Sequence, residues 1–175
     1  MIYKPYSILL LAAALVMACS GSSGQLHADL QQVVAQGSVS PVDGVTSAGQ
    51  PDAQALGVFA TSGYAAVIDM RTAGEDRGFD EPSVVRQLGM DYVAFPVGAS
   101  DITLEKAREL DALLGQYDAP VLVHCGSGNR VGALLALGEY LDSGDRDKAL
   151  QKGRDAGLTG LEGKVIDVIE NAPPQ

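Results

Sequence analysis

Pro120-Val-Leu-Val-His-Cys-Gly-Ser-Gly-Asn-Arg130-Val-Gly reads as a buried strand that empties into a glycine-rich loop and then a helix. Val121, Leu122 and Val123 form an unbroken apolar run, the pattern of a strand covered on both faces in a parallel sheet. Cys125 follows at once. Gly126 and Gly128 permit tight backbone geometry, so the amides of Gly126, Ser127, Gly128 and Asn129 can converge on one anion ahead of a helix expected over residues 130–141. Thiolate is the nucleophilic form of cysteine, and a helix N-terminus with a nearby cation favours it. Arg130 supplies a planar fork of donors suited to an oxyanion, and His124 is placed to donate hydrogen bonds to the loop. A lone cysteine is ordinarily a small buried hydrophobe. Strand, cysteine, two glycines, arginine and helix in series make Cys125 a candidate nucleophile instead.

Working outward, strand and helix signals alternate. Pro51 suits the first turn of a helix whose apolar face is Ala53, Leu56, Val58, Phe59 and Ala60, ending at Gly63. Residues 65–70 read as a strand, 81–88 as a helix closed by Gly89, and 92–97 as a strand stopped by Pro96. Thr103 caps a helix carrying Leu104, Ala107, Leu110, Leu113 and Leu114 at helical spacing to about residue 116. Two further helices are expected over 145–156 and 161–171. This alternation predicts an α/β, three-layer domain with a central, mostly parallel sheet flanked by helices and joined by right-handed crossovers. In such sheets ligands bind off the carboxyl ends of the strands, where Asp69 with Arg71, Phe95 with Pro96, and Cys125 should meet. Arg71 and Glu75 either line or brace that pocket, or form an exposed ion pair.

His-Cys-Gly-Ser-Gly-Asn-Arg resembles the signature loop of cysteine-dependent tyrosine and dual-specificity phosphatases, usually His-Cys-x-x-Gly-x-x-Arg-Ser/Thr. Four residues separate Cys125 from Arg130 where that pattern has five, and Val131 stands where it has a hydroxyl. A six-residue loop of this kind is also similar to that of rhodanese sulfurtransferases, and a shorter ring of amides suits a single sulfur atom. The wider match is to the bacterial family labelled beta-lactamase hydrolase-like, phosphatase-like, carried by Ser47-Ala-Gly-Gln-Pro51, Val67-Ile-Asp-Met-Arg71 with Glu75, and Tyr92-Val-Ala-Phe-Pro96. The resemblance implies a cysteine phosphatase-like fold, hydrolysis of a phosphomonoester by Cys125 and Arg130, and substrate binding by residues 124 and 126–129 with Arg71. It also implies a general acid on the loop after the preceding strand, where Asp101 is the available carboxylate; beside Thr103, Asp101 equally suits a helix-start cap. Sulfur transfer through a Cys125 persulfide, which needs no acid, and a non-catalytic anion-binding module are the alternatives.

Residues 1–18 hold Lys4 and then an uninterrupted apolar run, Ile8 to Ala18, too short to span a bilayer but suited to a signal peptide. A small residue before Cys19 resembles a bacterial lipoprotein signal. The expectation is an exported, cell-envelope protein lipidated at Cys19, with Ser20 leaning towards the outer membrane of a Gram-negative cell. Residues 19–41 read as a tether and leader, and 42–172 as the phosphatase-like domain. Twelve basic against twenty-two acidic residues give a net charge of -10, which makes nucleic acid an unsuitable partner and favours a small anionic or phosphorylated substrate. No metal or cofactor is expected: His27 and His124 with one usable cysteine lack ligand spacing, and neither a dinucleotide fingerprint nor a Walker loop is present.

Overall fold

β5 (Val121–His124) lies at the centre of a five-stranded sheet completed by β1 (Ser40–Val42), β2 (Val45–Ala48), β3 (Ala66–Asp69) and β4 (Asp91–Ala94), in the order β1-β2-β5-β3-β4. These elements belong to a computed structural model that describes residues 40–42 and 44–173. The signal segment and residues 19–39 of the tether and leader, Cys19 among them, lie outside the described residues, whereas Ser40 and Pro41, read as the end of the leader, belong to β1. β1 pairs antiparallel with β2, and the other pairings are parallel. Val121 is opposite Val45 on one side and Ala66 on the other, and His124 is opposite Ala48 and Asp69. All four residues of β5 are buried, which is why the strand is apolar rather than alternating.

Among the described residues, six helices cover the two faces: α1 (Ala53–Thr61), α2 (Glu81–Gln87), α3 (Leu104–Leu114), α4 (Asn129–Ser143), α5 (Arg146–Asp155) and α6 (Glu162–Glu170). Leu56 and Phe59 of α1 and Val85 of α2 pack with Val67 and Leu122 on one face. Leu110 of α3, Leu134 and Leu137 of α4, Leu150 of α5 and Val165 of α6 pack with Ile68 and Val123 on the other. The expected three-layer α/β domain is present. α4 is buried along most of its length, which suits a helix enclosed by α3, α5 and the sheet.

Local chemistry sets the boundaries. Asp52, Thr103 and Asp145 each accept a first-turn amide as N-caps. Asp52 rather than Pro51 therefore begins α1, and Pro51 stands one residue before the cap. β4 ends at Ala94, short of the expected residue 97, because Pro96 has no amide to give to the ladder. Phe95 and Val97 still donate to Asp69 and Met70 at 2.8 and 3.0 Å, so the chain stays beside β3. β1 and β2 have no strand signature; β2 reads Val-Thr-Ser-Ala, and its buried hydroxyls are satisfied by tertiary partners, Thr46 on Tyr64 at 2.5 Å and Ser47 on the Ala156 carbonyl at 2.6 Å.

Candidate active site

The loop after β5 is held from three sides. Cys125 N–H donates to the Ala48 carbonyl at 3.3 Å, Gln50 N–H donates to Gly126 at 3.4 Å, and Ser127 bridges Gly49. Gly128 turns the chain into α4 with φ of +85°, a conformation that favours glycine, and its N–H donates to Cys125 Sγ at 3.2 Å. Cys125 is 1% exposed, so its sulfur lies at the floor of the loop ahead of a helix N-terminus. The third side comes from the α5–α6 connector: Gly157 packs on Gly128, and Asn129 Oδ1 accepts from Thr159 and Leu161 N–H at 2.9 and 3.3 Å. Asn129 Oδ1 thereby ties the start of α4 to the connector.

Arg130 is clamped by Glu75. Nη1 and Nη2 donate to the two carboxylate oxygens at 2.7 and 2.6 Å in a fork, and Nη1 also donates to the Val97 carbonyl at 3.0 Å. Hydrogen bonds from Arg130 first, with Thr72 adding, hold the Glu75 carboxyl down at about 2. Glu75 first, with the Cys125 sulfur adding, raises Arg130 above its ordinary value. Arg71 reaches Glu75 at 3.4 Å, so the expected pair of Arg71 and Glu75 forms part of a larger cluster whose centre is Arg130.

Beneath the loop lies a buried polar layer. His124 projects on the Leu122 face of the sheet, opposite Val123, because side chains alternate along a strand. It does not donate to the loop as expected from its position in the sequence: its Nε2 sits 2.6 Å from Glu81 Oε1 and 3.8 Å from Asp69 Oδ1. Asp69 accepts from Arg71 N–H at 2.7 Å, Arg77 Nε at 2.5 Å and Tyr92 hydroxyl at 2.7 Å. Burial first, and then the bond to Asp69, raises the Tyr92 phenol. Asp69, Glu81 and His124 offer three atoms within 4.8 Å of one another. Arg77 already occupies one oxygen of Asp69 and Gln50 donates to one of Glu81, so a guanidinium stands where a cation would enter.

A cavity of about 450 Å³ opens beside Gly126, lined among others by Gln50, Pro51, Arg71, Arg77 and Phe79. Cys125, Arg130 and Asp101 are not in its lining. Asp101 ends a short 3-10 turn, Ala99–Asp101, where its Oδ2 accepts from Gly98 N–H at 2.8 Å. Thus Cys125, Arg130, Gly126, Gly128 and Arg71 come together, while His124 and the side chains of Asn129 and Asp101 face other partners. Arg77, Glu81, Gln50 and Tyr92 carry the layer below without being singled out for it by the sequence. Glu81 ahead of Pro82 looks like an ordinary acidic residue in a first helical turn, and no local signal reveals its burial.

Comparisons with known proteins bear on the family and the fold. A beta-lactamase hydrolase-like protein of Agrobacterium fabrum is 33% identical over 102 residues, spanning 56% of this chain and 24% of that protein. One of Xylella fastidiosa is 35% identical over 98 residues, spanning 54% and 23%. The chain therefore spans about a quarter of the length of the curated relatives it matches. Among solved structures, a Neisseria meningitidis protein assigned as a phosphatase superposes with TM-score 0.61 at 20% identity, covering 71% of this chain and 92% of that one. P. aeruginosa TpbA in complex with pTyr gives 0.55 at 18%, covering 77% and 89%. At such identities the likeness establishes a tyrosine phosphatase-like fold. The family model for the beta-lactamase hydrolase-like protein, phosphatase-like domain matches residues 29–142, well over half of the chain, and the chain belongs to that family.

Proposed function

We propose that the chain is a cysteine-dependent hydrolase of small phosphomonoesters, with Cys125 as nucleophile and the 126–129 amides and Arg130 as anion clamp. The observation that carries the reading is the sulfur itself: buried, at the start of α4, accepting the Gly128 N–H and facing the Arg130 guanidinium. The thiolate attacks phosphorus, the ester oxygen leaves with its electron pair and takes up a proton, and a phosphocysteine forms. Water then attacks phosphorus, gives up a proton, and returns the thiolate with release of inorganic phosphate. Donors preorganised around the equatorial oxygens stabilise the developing charge. Asp101 is the proton donor in this reading: the Gly98 amide holds its Oδ2, and Oδ1 is the oxygen that carries the proton.

A specific observation favours a second reading. The loop has four residues between Cys125 and Arg130, and Asp101 is engaged by its own turn. Both suit sulfur transfer, in which the thiolate attacks the outer sulfur of thiosulfate, sulfite departs with the bonding pair, and a Cys125 persulfide remains. One paired experiment separates them: p-nitrophenyl phosphate hydrolysis and thiosulfate-dependent persulfide formation, each with Cys125→Ser as control. Hydrolysis lost in Cys125→Ser is expected; hydrolysis that survives it refutes the proposal, and persulfide without hydrolysis promotes sulfur transfer. We also infer delivery to the cell envelope through lipid on Cys19, supported by the apolar run before it. Labelled palmitate should enter the wild type and not Cys19→Ser.

A further inference from the structure

Glu81 is linked to both neighbours of the nucleophile. Its Oε1 lies 2.6 Å from Nε2 of His124, the residue before Cys125. Its Oε2 accepts from the Gln50 side chain at 2.9 Å, and the Gln50 backbone N–H donates at 3.4 Å to Gly126, the residue after Cys125. The carboxylate is 0% exposed, as is His124. The ring and the carboxylate touch without an aligned hydrogen bond, and among the described residues neither Glu81 Oε1 nor the two His124 nitrogens has another hydrogen-bond partner. Arg77 is 4.0 Å from Glu81 Oε2 but is spent on Asp69 at 2.5 Å. Burying a carboxylate is costly, and a well-packed apolar residue would close this layer of α2 as firmly. The geometry instead directs both oxygens at groups that hold the loop.

We propose that Glu81 is a positioning residue for the nucleophile. Through His124 on one side and Gln50 with Gly126 on the other, it fixes the backbone flanking Cys125 and hence the direction of the sulfur. The role rests on Cys125 as nucleophile and is independent of whether phosphorus or sulfur is attacked.

The test is the rate of Cys125 alkylation by iodoacetamide at fixed pH, followed by mass spectrometry of the Cys125 peptide from the full chain. Glu81→Gln keeps the shape and removes the charge. Its alkylation should slow about tenfold, the factor for losing one charge-assisted contact, with kcat for p-nitrophenyl phosphate falling in step and KM unchanged. Glu139→Gln is the control for buried charge elsewhere: Glu139 is 8% exposed and pairs with Lys148 at 2.6 Å. It should lower stability and leave alkylation at the wild-type rate. Equal rates in Glu81→Gln and wild type overturn the proposal, as does equal slowing in Glu139→Gln. If Glu81→Gln fails to fold, Gln50→Leu, at a half-buried loop position, should slow alkylation severalfold, and a wild-type rate there overturns the proposal instead. A wild-type Cys125 no faster than free cysteine overturns the nucleophile reading as well.

Discussion

Two glycines of α4, six residues apart, should respond oppositely to the same substitution. A Cβ on Gly132 would stand 2.4 Å from Leu158 N, 2.6 Å from Gly153 O and 2.9 Å from Leu158 Cα, all backbone atoms. Two of these are the partners of one hydrogen bond, Leu158 N–H to Gly153 O at 2.8 Å. To reach ordinary contact the α5 end and its connector would have to move off α4 by roughly 1 Å. Overpacking costs about 1–3 kcal/mol and loss of that bond about 1–2 kcal/mol, against a gain of about 1 kcal/mol from alanine's helix propensity. The net is a destabilisation of about 1–4 kcal/mol, or a fall in Tm of about 4–15 °C for a domain of this size. Gly138 has nothing within 4 Å of its Cβ direction, so Gly138→Ala should stabilise by about 0.5–1 kcal/mol. Urea unfolding of both variants by circular dichroism reads the difference. Equal stabilities would refute the claim that α4 and α5 meet through backbone. Because Gly157 rests on Gly128, Gly132→Ala should also slow Cys125 alkylation.

Glu75 predicts an acid effect. Its folded value near 2 lies below the usual 4.5, so between these pH values the unfolded chain binds the proton and stability rises with pH. The stabilisation is full above about pH 4.5 and is lost as pH falls towards 2; with partial exposure it amounts to about 1–2 kcal/mol. The gap between the urea midpoints of wild type and Glu75→Gln should be full at pH 6 and shrink steadily as pH falls from 4.5 towards 2; a constant gap would contradict the clamp. Asn129→Ala leaves the Thr159 and Leu161 amides without their acceptor and should cost about 1–2 kcal/mol in the same assay, with no loss expected for Ser127→Ala, whose side chain is exposed. For Asp101→Asn, the acid role predicts lost sensitivity of kcat to pH on the alkaline side, whereas a cap alone leaves the profile unchanged and only lowers Tm.

Much of the scaffold was legible because its signals are local. The apolar run 121–123, the cap at Thr103, and Gly89 after α2 mark elements within a few residues, and each lies where expected. β2 escaped because Val-Thr-Ser-Ala has no strand pattern of its own; it is a strand by virtue of its pairing with β5 and the tertiary bonds of Thr46 and Ser47. His124 shows the same limit at the site. Its place beside Cys125 suggests a loop donor, but alternation along β5 turns it to the opposite face, where Glu81, distant in sequence, receives it.

The sequence by itself determined the candidate nucleophile, the arginine that follows it, and the strand-loop-helix setting around them, since all three depend on spacing within one short stretch. Only the tertiary structure decided which residues hold that loop: Glu75 on Arg130, Asn129 on the α5–α6 connector, and Glu81 between His124 and Gln50. Those contacts join segments tens of residues apart, and burial, which the chain acquires only on folding, turns ordinary charged and amide side chains into the supports of that loop.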